Sequence, residues 1–192
     1  AATHAKDETV PMRGLARTMV KSMTAAWAVP HFGYCDEIVM DPLMAAREAL
    51  KGAAKAKGIK FSYLPLILKA TSLALHQFPG LNAHAATDGS TLTRKGAHNI
   101  GVAMDTPSGL IVPNVKNVAE RSLFEIAAEL ARLQTLAAAG KLGAADLSDG
   151  TFTLSNIGTI GGTYASPVLF MPQVAIGAIG KIQKVRWVWG GG

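Results

Sequence analysis

The chain has 192 residues, 49% apolar and only 17% charged, with a net charge of +6 from 19 basic and 13 acidic side chains. That length supports one domain with its own core, and that balance excludes intrinsic disorder. No basic run is longer than two and aromatics are 6%, too few to stack bases, so nucleic acid is excluded as a partner.

Ala1 to Thr9 is polar, so residues 1–10 read as the end of an interdomain linker rather than a signal peptide. Arg13 to Trp27 carries apolar side chains at Leu15, Met19, Met23 and Ala26, a helix stripe that Val29-Pro30 ends. His31 to Met40 is aromatic and β-branched with loose alternation and reads as a strand, which would bury Cys35. Cys35 is the one cysteine, so no internal disulfide forms and a reducing compartment fits. Asp41-Pro42 is an N-cap with proline at the first helical position, and the helix behind it runs to about Lys57, where Gly58 closes it.

Leu64 to Gln77 is apolar nearly all round and reads as a buried helix, with His76 a core histidine and Phe78-Pro79-Gly80 the stop. Asp88-Gly89 marks a hairpin turn between Asn82–Ala86 and Thr91–Arg94. His98–Met104 and Leu110–Pro113 read as strands joined by Thr106-Pro107-Ser108-Gly109, with His98 packed at the first one's start. Ser122-Leu123-Phe124-Glu125 is a capping box for a helix reaching Ala139-Gly140. Thr151–Ser155 alternates as a strand, and the glycine loop Gly158 to Thr163 leads to a last strand pair around Val174–Ile182. The loop's G-x-x-G-G spacing, with no helix start over Tyr164 to Pro167, argues against a dinucleotide cradle and for close chain approach. The longest apolar stretch, Pro167 to Ile182, is broken by Pro172, Gln173, Gly177 and Gly180, so no membrane span is expected. Helices and strands do not alternate as βαβ units, which predicts an α+β layer fold. The low charged fraction points to a large subunit interface.

The order of these segments resembles the inner-core catalytic domain of dihydrolipoamide acyltransferases of 2-oxo acid dehydrogenase complexes. The likeness is carried by Met19 to Met23, Pro30-His31-Phe32 with Asp36-Glu37, Leu81-Asn82, His98 to Thr106, Gly109 to Val115, Thr151 to Gly158 and Val174 to Gly177. It covers residues 11–184. The runs His31 to Ile38, His98-Asn99-Ile100-Gly101 and Val115-Lys116-Asn117-Val118 look most like the branched-chain complex. The resemblance implies a chloramphenicol acetyltransferase-like two-layer fold, a mixed sheet with flanking helices, that forms trimers. It implies an acyltransferase core domain over residues 11–192, truncated at its C-terminal end. The implied reaction moves a branched-chain acyl group from dihydrolipoamide to coenzyme A, the lipoyl group riding on a separate domain. The implied partners are copies of the same chain in a cubic 24-mer core, the lipoyl domain, and the decarboxylase and dihydrolipoamide dehydrogenase components held through a peripheral domain. The implied location is the mitochondrial matrix, or the cytoplasm of a bacterium.

Acyl transfer between thiols needs a base, because a free thiol has a pKa near 8.5, and a donor for the developing oxyanion. Ser155 stands at a strand end before an irregular loop and matches the family's oxyanion donor; a turn serine bonding its own backbone is the plain alternative. By resemblance Arg47, Ser62, Asp105, Gln134, Ser155, Asn156, Gly180 and Ile182 match coenzyme A-contacting positions. Without the resemblance, Arg47 and Gln134 read as solvated helix residues and Asp105 as a turn cap.

The family's base lies in a His-Arg-x-x-Asp-Gly motif that this sequence lacks. His84-Ala85-Ala86-Thr87-Asp88-Gly89 has the spacing H-x-x-x-D-G, but Ala85 replaces the arginine, the string precedes Ser155, and Asp88-Gly89 is better explained as a turn. His31 reads as structural or channel-lining, and His4 lies in the tail. No pair of histidines has metal-ligand spacing with a carboxylate, so no metal is expected. The expected function is therefore that of a fragment, inactive alone, of an acyltransferase; a non-catalytic scaffold subunit is the alternative, and a free-standing acetyltransferase of the chloramphenicol type is the poorer match.

Overall fold

The computed structural model describes residues 7–107, 109–161 and 164–185. It holds three helices before the first strand: α1 (Gly14–Trp27), α2 (Asp41–Ala56) and α3 (Leu64–Gln77). A single 3-10 turn, Pro79–Leu81, leads to β1 (Ala83–Ala85) and β2 (Leu92–Arg94). Then come β3 (Ile100–Val102), β4 (Met104–Thr106), β5 (Gly109–Ile111) and β6 (Asn114–Val115). The chain continues through α4 (Leu123–Ala138), a single-turn α5 (Ala144–Leu147), β7 (Phe152–Asn156) and β8 (Ile176–Ile179).

The central sheet has the order β6-β3-β7-β8. β3 runs parallel to β7, with Ile100 opposite Phe152 and Val102 opposite Leu154, and antiparallel to β6. β8 lies parallel to β7, pairing Ser155 with Ala178 and Asn156 with Ile179. β1/β2 and β4/β5 are separate antiparallel hairpins. The expected α+β architecture, a mixed sheet with flanking helices, is the one observed.

The core forms where α3 and α4 lie against one face of this sheet. Leu68 and Leu75 of α3 and Ile126, Leu130 and Leu133 of α4 close on Ile100, Val102, Phe152 and Leu154. Ser122 caps α4 reciprocally, its hydroxyl accepting from the Glu125 N–H while the Glu125 carboxylate accepts from the Ser122 N–H. Gly58 adopts φ +68 beyond the last turn of α2, as its place in the sequence predicts. The Asp88-Gly89 turn also forms: Asp88 accepts from the backbone and hydroxyl of Ser90, and Gly89 takes φ +72.

Several expectations are corrected. Residues 31–40 form no strand, because no other segment among the described residues pairs with them. They run as an exposed arm in which Phe32 is 92% and Ile38 79% exposed, so Cys35 is exposed too. α3 is buried on one face only, through Pro65, Leu68, Ser72 and Leu75; Leu73 and His76 are exposed because nothing among the described residues covers that side. The strand pair around Val174–Ile182 is the single strand β8, which pairs on one edge alone among the described residues. β3 begins at Ile100, leaving His98 before it, buried against the Ser72 hydroxyl at 2.8 Å. Residues 1–6 of the expected linker, Thr163 and Gly162 of the glycine loop, and the stretch 186–192 lie outside the described residues.

Candidate active site

The end of β7 is the place to which the fold brings Ser155, Asn156, Gly180 and Asp105, half of the candidate residues. Phe152 and Leu154 point into the core, so strand alternation sends Thr153 and Ser155 to the other face. There the Thr153 hydroxyl donates to the buried Gln173 side chain at 2.7 Å, which fixes the strand. Ser155, half-buried, is the next residue on that face. Its hydroxyl has no hydrogen-bond partner among the described residues, so the turn-serine alternative is not seen and the donor is free.

The neighbouring backbone is tightly fixed. The Ile157 and Gly158 N–H groups both donate to the Ile179 carbonyl at 3.1 Å, and Gly158 also donates to the Asn156 side-chain oxygen. A Cβ on Gly158 would collide with the Gly180 carbonyl. The glycine loop thus serves the close chain approach read from the sequence, and it places Ser155, Asn156 and Gly180 at one end of the sheet. Asp105 leaves from the same region: the Ala103 N–H donates to the Leu154 carbonyl at 3.1 Å, and exposed Asp105 follows on β4 opposite Leu110.

A second group gathers along α2 and the turn that follows it. The Arg47 Nε donates to the Phe61 carbonyl at 3.3 Å, and its guanidinium stands 4.8 Å from the centre of the Tyr63 ring. Ser62, exposed, lies between those two residues in the chain. Arg47, Lys51, Lys55, Lys60 and Phe61 line a cleft of about 360 Å³. Sequence reading singled out Arg47 but missed the three lysines; the signal available was the four-residue recurrence of Arg47, Lys51 and Lys55 on one helix. Gln134 is exposed on α4 and Ile182 is exposed beyond β8. Among the described residues no hydrogen bond or ion pair joins either of them to the other candidates.

None of the described histidines is arranged as a base for Ser155. His84 Nε2 donates to the Gly150 carbonyl at 2.9 Å, and Asp88 is engaged with Ser90, so the H-x-x-x-D-G string is a hairpin and not a catalytic pair. His31 Nδ1 donates to the Val29 carbonyl at 2.7 Å, while Nε2 accepts from the Leu169 N–H at 3.2 Å, so both ring nitrogens are engaged with backbone. Burial, and secondly the His76 ring 4.5 Å away, holds the His98 pKa below the usual imidazole range.

Comparison with known proteins agrees with this geometry. The family described as 2-oxoacid dehydrogenases acyltransferase (catalytic domain) matches residues 4–192. The mitochondrial lipoamide acyltransferase component of the branched-chain alpha-keto acid dehydrogenase complex of Mus musculus is 60% identical over 180 residues, 94% of this chain and 37% of that protein. Its Caenorhabditis elegans counterpart is 56% identical over 180 residues, 94% of this chain and 40% of that protein. The chain therefore spans well under half the length of these curated relatives. A solved structure of Azotobacter vinelandii dihydrolipoamide acetyltransferase, studied for the role of a serine, a histidine and an asparagine in its catalytic mechanism, superposes with a TM-score of 0.90 at 38% identity. It covers 98% of this chain and 78% of that one. The cubic core of a pyruvate dehydrogenase multienzyme complex gives the same TM-score, identity and coverage.

Proposed function

The chain belongs to the 2-oxoacid dehydrogenase acyltransferase catalytic-domain family, and from that premise we propose that the protein carrying it transfers a branched-chain acyl group from dihydrolipoamide to coenzyme A. The observation that carries the reading is the free, half-buried Ser155 hydroxyl near the end of β7, in a fold that superposes on a dihydrolipoamide acetyltransferase with a TM-score of 0.90. The likeness to branched-chain components at 60% and 56% identity supports the acyl class.

In this reading Ser155 donates a hydrogen bond to the thioester carbonyl oxygen as negative charge develops there. Such a donor, held by the β7–β8 pairing, needs no reorganisation during the reaction. The Asn156 side chain holds the Gly158 N–H beside it, and Arg47, Ser62, Asp105, Gln134, Ser155, Asn156, Gly180 and Ile182 contact coenzyme A. The lipoyl group, on a separate domain, supplies the acyl thioester. The base is a histidine in a His-Arg-x-x-Asp-Gly motif of the whole protein, outside these 192 residues. The free donor and the cationic cleft suit the two ends of a thiol substrate that carries phosphates.

The assembly proposed is a trimer within a cubic core. The exposed apolar arm, with Phe32, Tyr34, Ile38 and Val39, and the uncovered sides of α1 and α3 supply surface for neighbouring copies. The further partners are the lipoyl domain and the decarboxylase and dihydrolipoamide dehydrogenase components. The mitochondrial mouse and nematode relatives support a matrix location. The scaffold alternative draws on one observation, the absence of the base motif from this sequence. An acyl-transfer assay on the full-length protein, with intact mass measured in parallel, decides between them. Transfer of a branched-chain acyl group to coenzyme A upholds the enzyme. A protein of this chain's mass that assembles without transferring upholds the scaffold.

A further inference from the structure

On the face of the central sheet turned away from α3 and α4, a row of buried side chains is polar. Asn114 of β6, Gly101 of β3 and Thr153 of β7 pair across the sheet in that order. Thr153 is 1% exposed, and Gln173, which accepts its hydrogen bond, is 3% exposed. The other face of β3 and β7 carries Ile100, Val102, Phe152 and Leu154. A buried hydroxyl and amide are costly unless they bond each other, and apolar side chains would fill the same space without that cost. What the polar pair adds is direction, because a hydrogen bond fixes one arrangement where apolar contacts tolerate sliding.

Two glycines leave room for the pair. A Cβ on Gly101 would lie 3.0 Å from Thr153 Oγ1, and one on Gly150 would lie 3.0 Å from Gln173 Nε2. The segment around Gln173 is itself stitched to β1: the Ala85 N–H donates to the Pro172 carbonyl at 2.9 Å and the Val174 N–H to the Ala83 carbonyl at 3.2 Å. The Gln173 side chain reaches the other way, to the Thr153 hydroxyl at 2.7 Å. The chain then enters β8 at Ile176, the strand partner of Thr153.

The placement of Ser155 depends on this anchor. β3 pairs with β7 only as far as Leu154, so Ala178 of β8 is the one strand partner of Ser155 among the described residues. The Ser155 hydroxyl has no hydrogen bond of its own among those residues, so the backbone sets where it stands. We infer that Thr153 and Gln173 are a positioning pair for acyl transfer: their buried hydrogen bond anchors the entry of β8 on β7 and thereby places the Ser155 hydroxyl. This rests on the acyl-transfer reading given above. The pair acts through Ser155 and takes no part in the chemistry itself.

The test uses the full-length assembled protein. Thr153→Val keeps the shape and removes the donor, Thr153→Ser keeps the donor, and Gln173→Met removes the acceptor; each is made alone and together with Ser155→Ala. Misplacing a reacting group by about 1 Å can cost about 10²-fold. Thr153→Val and Gln173→Met are expected to lower kcat about tenfold with KM for coenzyme A within about twofold, and Thr153→Ser to keep kcat within about threefold. Combined with Ser155→Ala, the same changes should cost less than about twofold further, because a displaced donor has no effect once the donor is gone. A kcat within about threefold of the parent for both Thr153→Val and Gln173→Met overturns the inference. So does an equal proportional loss with and without Ser155, which marks a role unrelated to that hydroxyl. Failure of both variants to assemble also overturns it, by assigning the pair to folding alone. If Ser155→Ala by itself keeps the parent's kcat, or the parent transfers to no thiol, the acyl-transfer reading fails and the inference falls with it.

Discussion

Replacing Gly158 by alanine should loosen the end of the sheet that presents Ser155. The new Cβ would meet the Gly180 carbonyl oxygen and lie 3.0 Å from its carbon, both backbone atoms that cannot rotate aside. Crowding of this kind costs about 1–3 kcal/mol. Separation would also weaken the two 3.1 Å hydrogen bonds to the Ile179 carbonyl, each contributing about 0.5–1.5 kcal/mol. The lower chain entropy of alanine in the unfolded state returns about 0.4–1 kcal/mol. The net loss is roughly 1–5 kcal/mol, a fall in melting temperature of about 2–20 °C for a domain of this size. Gly52→Ala is the matched control, since its Cβ meets nothing within 4 Å and alanine favours the helix by up to about 1 kcal/mol. Calorimetry on both variants, with acyl-transfer rates alongside, reads the effect. Equal melting temperatures for the two variants, with transfer unchanged, would refute the close-approach role of Gly158.

Two further predictions concern His98, which packs on Ser72 of α3, and the cap of α4. Because burial lowers the folded-state pKa of His98, the unfolded chain binds a proton that the folded chain refuses between that depressed value and the ordinary value near 6.5. Stability is therefore full above about pH 6.5 and falls as the pH drops through that window. Urea midpoints across this range should show the slope in the parent and a reduced slope in His98→Asn; equal slopes would remove His98 as its source. Ser122→Ala removes half of the reciprocal cap on α4 and should cost ~1 kcal/mol, read as a lower urea midpoint at constant m.

The sequence disclosed those features whose cause is local. The Ser122 cap, the Gly58 stop and the Asp88-Gly89 turn each depend on residues a few positions apart, and each forms as read. The arm at 31–40 failed for the opposite reason: β-branched and aromatic residues encode a capacity to pair, whereas a strand also needs a partner. Cys35 and the outer side of α3 were misplaced with it, because burial was inferred without knowing what covers them. The strand β6 and the helix α5 were too short to leave a periodicity. The position of Ser155 near the end of a strand was legible from the alternation of Thr151–Ser155. The lysine cleft was half legible, since the helical recurrence is in the sequence but Lys60 joins only once the chain turns back at Gly58.

In the proposed reaction Ser155 donates to the oxyanion of acyl transfer. Steady-state transfer from acyl-dihydrolipoamide to coenzyme A by the full-length Ser155→Ala protein measures this most directly, with thermal melting to verify the fold. The expected result is a fall in kcat of about 10²–10³ at an unchanged melting temperature. A kcat within about threefold of the parent would contradict the assignment.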